Sequence, residues 1–161
     1  DVERLAVALE GDPAALQAVR WPGRAERFPG NIFLDCAHNG AAAEALADWL
    51  RQGGVKPLHL VMGVMADKDV AKVVAPLAPL ADSVTVVTPK YPRRLPAEQL
   101  APAFEGYDLS VTVGTTVARA LAERPRDKFC VVTGSGFLVG EARAYLTNQP
   151  FPELGLSTTA R

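Results

Sequence analysis

An α/β domain is predicted, with a mostly parallel sheet of five to six strands and helices on both faces. Three observations predict it. Five short runs rich in Val, Ile and Leu punctuate the chain, and most are followed by apolar residues at helical spacing. The connections between these segments are mostly 2–8 residues long. Strands that alternate with helices in this way pair in parallel, because each crossover returns the chain to the same end of the sheet.

The first run, 31–35, leads through His38-Asn39-Gly40 into an Ala-rich helix over about 41–51. There Ala42, Leu46, Trp49 and Leu50 share one face at i, i+4, i+7 and i+8, and Gly53-Gly54 stops the helix. The second strand, 58–62, precedes a helix over about 69–80, whose end Pro76 and Pro79 make irregular. The third, 84–88, is almost continuously β-branched, as suits a strand covered on both faces. A loop rich in Pro and Arg follows, then a short helix near 97–104. Strand 109–113 leads to Thr115 or Thr116, either able to cap a helix running to about 123. The fifth strand, 129–133, enters Gly134-Ser135-Gly136 and a last helix through 146. Upstream lie two helical segments, 2–9 and 13–19, the second with Asp12 as N-cap and Pro13 at its first position. The pattern is Rossmann-like and organised as one domain over 1–148, with 149–161 expected to form a loose tail.

Composition bounds the function classes. The 161 residues carry 17 basic and 18 acidic side chains, a net charge of -1, which excludes a broad basic surface for nucleic acid. Hydrophobic residues make up 48% and charged residues 22%, so the chain can bury a core and is not of disordered composition. The two cysteines, Cys36 and Cys130, form no C-x-x-C pair, so neither a disulfide framework nor a cysteine zinc site is expected, and a reducing cytosol suits them. No run of about 18 apolar residues reads as a membrane span. The start, Asp1-Val2-Glu3-Arg4, lacks a signal peptide's basic head and apolar centre. It also lacks an initiator Met, and so reads as a processed product or an excised piece.

Ligands of parallel sheets sit beyond the carboxyl ends of the strands, so the loops there are the places to search. Asp35 at a strand end can accept from ribose hydroxyls, and His38 can bind an anion or a hydroxyl. By themselves the residues favour a plainer reading, with Asp35 capping the next helix and His38 closing the turn. Lys68, in Gly63-Val64-Met65-Ala66-Asp67-Lys68-Asp69, stands at the mouth of a helix, where a cation opposes the helix dipole. A carboxylate or phosphate bound there would explain it, as would a solvated lysine between two capping aspartates. Thr133-Gly134-Ser135-Gly136 offers hydroxyls and free N–H groups to an anion, or an ordinary N-cap. Trp21-Pro22-Gly23-Arg24 is a rigid turn presenting a guanidinium suited to phosphate. The basic cluster at 89–94 reads as solvated loop charge, Trp49 and His59 as core and strand packing. Cys36 has only His38 nearby to support a thiol nucleophile. No G-x-x-x-x-G-K-[ST] occurs, nor a G-x-G-x-x-G after the first strand, so a self-sufficient nucleotide-hydrolysing or NAD enzyme is not indicated.

In order along the chain, these loops resemble the C-terminal domain of bacterial folylpolyglutamate synthase/dihydrofolate synthase, of the Mur ligase superfamily. W-P-G-R at 21–24 looks like W-P-G-R-[LF]-[EQ], with Ala25 replacing a larger apolar residue. D-C-A-H-N at 35–39 is similar to D-x-A-H-N-P, with Gly40 where proline is usual. M-G-V-M-A-D-K-D at 62–69 matches G-x-x-x-D-K-D. P-R-R-L-P-A-E-Q-L at 92–100 resembles P-R-[AS]-x-x-A-E-x-L, and T-G-S-G-F-L-V-G-E-A-R at 133–143 resembles T-G-S-x-[YF]-x-x-[GS]-x-x-R.

The resemblance implies an ATP-dependent ligase. ATP phosphorylates the carboxylate of dihydropteroate or of a folate's terminal glutamate, the amine of an incoming L-glutamate attacks the acyl phosphate, and phosphate leaves as the amide forms. It also implies a separate N-terminal P-loop domain that holds most of the ATP and the Mg2+, so the 161 residues alone are expected to be inactive. Carried over by motif, Arg24 touches the ATP phosphates and Asp35 the ribose, while His38, Lys68 and Ser135 hold glutamate. None acts covalently and none is a metal ligand. The family implies a cytoplasmic monomer without nucleic-acid or membrane partners. The departures at Ala25, Cys36 and Gly40 alter loop shape more than ligand chemistry. A nearby rival is the C-terminal domain of a peptidoglycan Mur ligase, against which stand Asn39, the P-A-E-x-L segment and T-G-S-G-F. A rival of another class is a non-catalytic nucleotide-binding or regulatory domain.

Overall fold

The sheet is built from the continuous apolar runs, and its order puts the last of them in the middle. A computed structural model describes residues 21–151; the helical segments expected at 2–9 and 13–19, and all but the first residues of the tail, lie outside them. The elements are β1 (Glu26–Phe28), β2 (Ile32–Leu34), α1 (Gly40–Gln52), β3 (Leu58–Met62), α2 (Val70–Val74), β4 (Ser83–Val86), α3 (Ala97–Leu100), β5 (Ser110–Val113), α4 (Val117–Glu123), β6 (Phe129–Thr133) and α5 (Gly136–Leu146). Single 3-10 turns follow α2 at Ala78–Leu80 and α3 at Ala101–Phe104. The six strands lie in the order β1-β2-β6-β3-β4-β5, parallel except for the β1–β2 hairpin.

Strand β1 has no counterpart among the elements expected above. Glu26-Arg27-Phe28 carries one apolar side chain, too few to show a strand pattern, and it pairs only at the sheet edge. Its hairpin closes through Gly30 and Asn31, whose φ values of 78° and 58° are the left-handed pair of a tight hairpin. The helix expected over 69–80 is shorter than its pattern: α2 ends at Val74, and the chain resumes as a 3-10 turn at Ala78. Pro76 and Pro79 remove the N–H donors that a continuous helix needs.

Alternation along the strands sorts the core into two layers. Phe33, Leu58, Leu60, Met62, Val84, Val86 and Val131 face α1, α2 and α3, and Leu46, Leu50 and Leu77 fill that layer. Ile32, Leu34, Val61, Cys130 and Val132 face α4 and α5. The buried stripe of α1 is Ala43, Leu46, Ala47 and Leu50, so the expected Ala42 and Trp49 sit on its flank. Trp49 stacks on Phe33 with ring centroids 4.5 Å apart. Edge strand β5 is exposed along its whole length; helices cover both faces of the central strands and leave this one bare. The loop after β2 departs to one face, into α1, and the loop after β6 to the other, into α5. That divergence between neighbouring parallel strands opens a crevice at their carboxyl ends.

Candidate functional site

The loops at these carboxyl ends are tied together by their backbones. Asp35 N–H donates to Val132 O, Gly134 N–H to Ala37 O at 3.0 Å, and Gly63 N–H to Thr133 O at 3.3 Å. Gly134 has φ 98°, and a Cβ there would lie 2.8 Å from Gly63 O. Only glycine lets the β6 and β3 loops approach so closely.

Within this frame each candidate residue has a defined setting. Asp35 does not cap α1. Its Oδ1 accepts from Ala37 N and its Oδ2 from Ala25 N, both at 3.0 Å. The cap is Asn39, whose Oδ1 accepts from Ala42 N at 2.9 Å. Two backbone donors leave further lone pairs on the Asp35 carboxylate for ligand hydroxyls. His38 Nδ1 lies 2.8 Å from Cys36 O. A carbonyl only accepts, so Nδ1 carries the proton and Nε2 is the free ring nitrogen.

Ser135 is the N-cap of α5, its Oγ accepting from Phe137 N at 3.1 Å, and it is 1% exposed. Its hydroxyl hydrogen is not used by that bond. Lys68 lies before α2, 3.6 Å from Asp67 Oδ2. Only one of the flanking aspartates is a cap: Asp69 accepts from Lys72 N, whereas Asp67 pairs with Lys68 and with Arg93 at 3.2 Å. Arg24 is exposed, forms no ion pair among the described residues, and borders a hollow of about 540 Å3 with Trp21, Arg27 and Arg143. The turn that carries it is anchored twice: Gly23 N–H donates to Glu26 Oε2 at 2.7 Å, and Glu26 pairs with Arg143 at 3.1 Å.

Loop 89–94 is more than solvated charge. Tyr91 stacks on Phe137 with centroids 3.6 Å apart. Ala66 N–H donates to Arg93 O and Leu95 N–H to Val64 O, zipping this loop to the one that carries Lys68. Beneath it, the buried Glu141 accepts from Lys90 N at 2.6 Å, and burial raises its pKa above the ordinary carboxylate value of 4.5. Tyr91, Phe137, Glu141, Glu26 and Arg143 are thus supporting residues absent from the candidates above. All five lie inside the family motifs or beside one; their pairings across the fold carry no local signal.

The two cysteines take no part. Cys130 is fully buried in β6 and burial pushes its thiol up to about 12, which keeps it protonated and inert. Cys36 is half-buried and unbonded through sulfur. Trp49 packs on the flank of α1, as expected, and His59 is buried in β3, bonded to Ser83 and Thr85. Among the described residues no cluster of His, Cys, Asp or Glu is arranged for a metal ion, and no helix is long and apolar enough to cross a membrane.

A family model described as the Mur ligase, glutamate ligase domain matches residues 23–136, from the turn at Gly23 and Arg24 to the first residue of α5. The chain belongs to this family. The glutamate ligase domain is 35% identical to the dihydrofolate synthase/folylpolyglutamate synthase of Mycobacterium tuberculosis over 166 residues, 88% of this chain and 34% of the relative. A probable bifunctional folylpolyglutamate synthase/dihydropteroate synthase of Halobacterium salinarum is 37% identical, over 82% of this chain and 17% of its own length. The solved folylpolyglutamate synthase of M. tuberculosis, complexed with ADP and AMPPCP, superposes with a TM-score of 0.75 at 32% identity, over 91% of this chain and 38% of that one. The domain is of the type found C-terminally in folylpolyglutamate synthase/dihydrofolate synthase, and it spans only about a third or less of those relatives.

Proposed function

We propose that this domain receives L-glutamate and closes the nucleotide site of an ATP-dependent amide ligase acting on dihydropteroate, a folate, or both. One observation carries the reading: the loops bearing Asp35, His38, Ser135 and Lys68 leave three adjacent strands, β2, β6 and β3, at the same ends. The matched relatives act as folate synthases by name, and one was solved with ADP and AMPPCP, which supports a nucleotide beside this domain.

The residues fit that role. A guanidinium free of ion pairs in the described structure, Arg24, suits the phosphates, and the spare lone pairs of Asp35 suit ribose hydroxyls. ATP supplies the phosphoryl group that activates the substrate carboxylate; Mg2+ and most of the nucleotide are assigned to a P-loop domain outside this chain. Lys68 and the α5 N-terminus capped by Ser135 provide positive potential for the carboxylates of glutamate. Nε2 of His38 accepts from the incoming amine when the ring is neutral and donates to a carboxylate when it is protonated. These groups act by positioning the amine and by balancing charge as the amide forms, without covalent participation. The proposed setting is a cytoplasmic, monomeric enzyme.

The test is steady-state kinetics in the longer enzyme. His38→Ala and Lys68→Ala raise KM for glutamate roughly 10- to 100-fold, and Arg24→Ala acts on ATP instead. Ser135→Ala also raises KM for glutamate, and it additionally costs about 1 kcal/mol of stability as a lost cap. Unchanged glutamate kinetics in His38→Ala and Lys68→Ala would remove the assignment. The 161-residue chain alone binds ATP weakly; submicromolar binding would favour a nucleotide-binding regulatory domain instead.

A further inference from the structure

A second polar recess lies on the bare side of the sheet, away from every loop assigned above. It runs beside β5 on the face shared with α4, encloses about 470 Å3, and is lined by His59, Ser83, Thr85, Ser110, Thr112 and Arg124 among others. It reaches from the amino ends of β3 and β4, at His59 and Ser83, to the loop after β5 at Gly114 and Thr115. Apolar side chains dominate the same face farther in, where α4 and α5 cover it, so a patch of five hydroxyl and imidazole side chains is not explained by core packing.

The hydrogen bonds of this recess leave donors in surplus. Lys128 Nζ donates to Ser83 Oγ at 3.2 Å. Ser83 Oγ lies 2.8 Å from His59 Nδ1, and Thr85 Oγ1 3.3 Å from His59 Nε2. Burial, with Lys128 and Arg124 nearby, lowers the His59 pKa to about 4, so the ring is neutral and carries one hydrogen. Either tautomer then uses two of the three hydrogens on Ser83, His59 and Thr85 for these two bonds. One hydroxyl hydrogen remains over, on Thr85 or on Ser83, to be donated to something else.

The charge has the same sign. Arg124 is 8% exposed, donates to Leu121 O at 2.6 Å and Gly30 O at 3.1 Å, and its Nε has no partner among the described residues. No carboxylate pairs with it there. Lys128 adjoins the recess through Ser83 and adds a second cation, while the lining pair Arg119–Glu123, 2.7 Å apart, balances itself. A buried guanidinium without a counter-charge is costly, and an anion over it lowers that cost.

We propose that this recess binds a small phosphate- or carboxylate-bearing metabolite, held by Lys128, Arg119 and the hydroxyls of Ser83, Thr85, Ser110 and Thr112 over the buried charge of Arg124. The volume suits a small ligand in a partly preformed site. None of Arg24, Asp35, His38, Lys68 or Ser135 lines it, which makes it a separate, effector-type site.

The chain has only 2 histidines, His38 and His59, and they report separately on the two sites. The experiment is a titration of the 15N-labelled 161-residue chain with inorganic phosphate, and in parallel with citrate, at constant ionic strength set by chloride. The imidazole nitrogens are followed by NMR. The expected result is a saturable shift of the His59 ring at millimolar phosphate or citrate. Lys128→Ala and Ser83→Ala each weaken the binding roughly tenfold, as for loss of a hydrogen bond to an anion. The tighter of the two anions identifies the headgroup. Arg124→Met risks unfolding, since Arg124 also holds two carbonyls, so the two milder variants carry the test. A shift at His38 alone, a non-saturating His59 response equal to that of chloride, or unaltered binding in both variants would overturn the proposal.

Discussion

Asp35 Oδ2 accepts the backbone N–H of Ala25, 10 residues upstream, while its Oδ1 accepts that of Ala37, each at 3.0 Å. One carboxylate thereby fastens the arginine-bearing turn to the loop after β2. It helps hold Ala25 at φ 47°, a left-handed conformation that costs an L-residue roughly 1–2 kcal/mol. In Asp35→Asn the amide has a single acceptor oxygen and turns an NH2 toward one of the two donors. The expected loss is about 1–2 kcal/mol, read as a lower urea midpoint at unchanged m-value. An unaltered midpoint would mean that Glu26, Arg143 and the Cys36 N–H bond to Gly23 O hold the turn without Asp35.

The Glu141–Lys90 contact joins positions 51 residues apart and underlies the Tyr91–Phe137 stack. Glu141→Ala should free the loop at 89–94, and trypsin should cut at Lys90, Arg93 or Arg94 at least roughly threefold faster. The pH dependence has a defined sign. With its pKa raised above 4.5 in the fold, Glu141 binds its proton more tightly folded than unfolded, and stability falls as pH rises from 4.5 through the raised value. Glu141→Gln lacks that fall, so the stability gap between parent and variant should shrink between pH 4 and neutrality.

His59 has the opposite sign. Its pKa is lowered from 6.5 to about 4 by burial first, then by Lys128 and Arg124. The unfolded chain therefore binds the extra proton between these values, and stability drops as pH falls from 6.5 to 4. Over that window the loss reaches about 3 kcal/mol. His59→Val should flatten this part of the pH profile in urea unfolding, although it leaves Ser83 and Thr85 without their partner.

Gly134→Ala tests the meeting of the β6 and β3 loops. The new Cβ would sit 2.8 Å from Gly63 O at a φ of 98°. Strain and clash together should cost at least about 2 kcal/mol, seen as a lowered Tm. Gly54→Ala is the control: it also has positive φ, 58°, but its Cβ meets nothing within 4 Å. It should be the milder change.

Much of the candidate site was legible along the chain because strand ends and helix starts carry local signals. Thr116 and Asp69 act as helix caps, Ser135 caps α5, and the apolar runs at β3, β4 and β6 are inner strands of the sheet. Other groups are set by partners far away in the sequence. Asp35 looked like a cap because a cap is the nearest use for a strand-end aspartate, yet its partner came from the preceding hairpin. The basic loop looked solvated because nothing within it announces Phe137 or Glu141.

Apolar periodicity, proline and glycine placement and capping residues alone therefore determined the α/β class, the succession of elements and the ordered motifs on their connecting loops. These are short-range properties, set by backbone preferences and by which face of a helix or strand is apolar. Tertiary structure decided that β6 inserts between β2 and β3, which brings the loops bearing Asp35, His38, Ser135 and Lys68 to one edge. It also decided that β5 stays uncovered, which leaves the hydroxyl-lined recess open above Arg124. Both follow from strand pairing between segments many tens of residues apart, where the free energy depends on what packs against what and no local pattern records the partner.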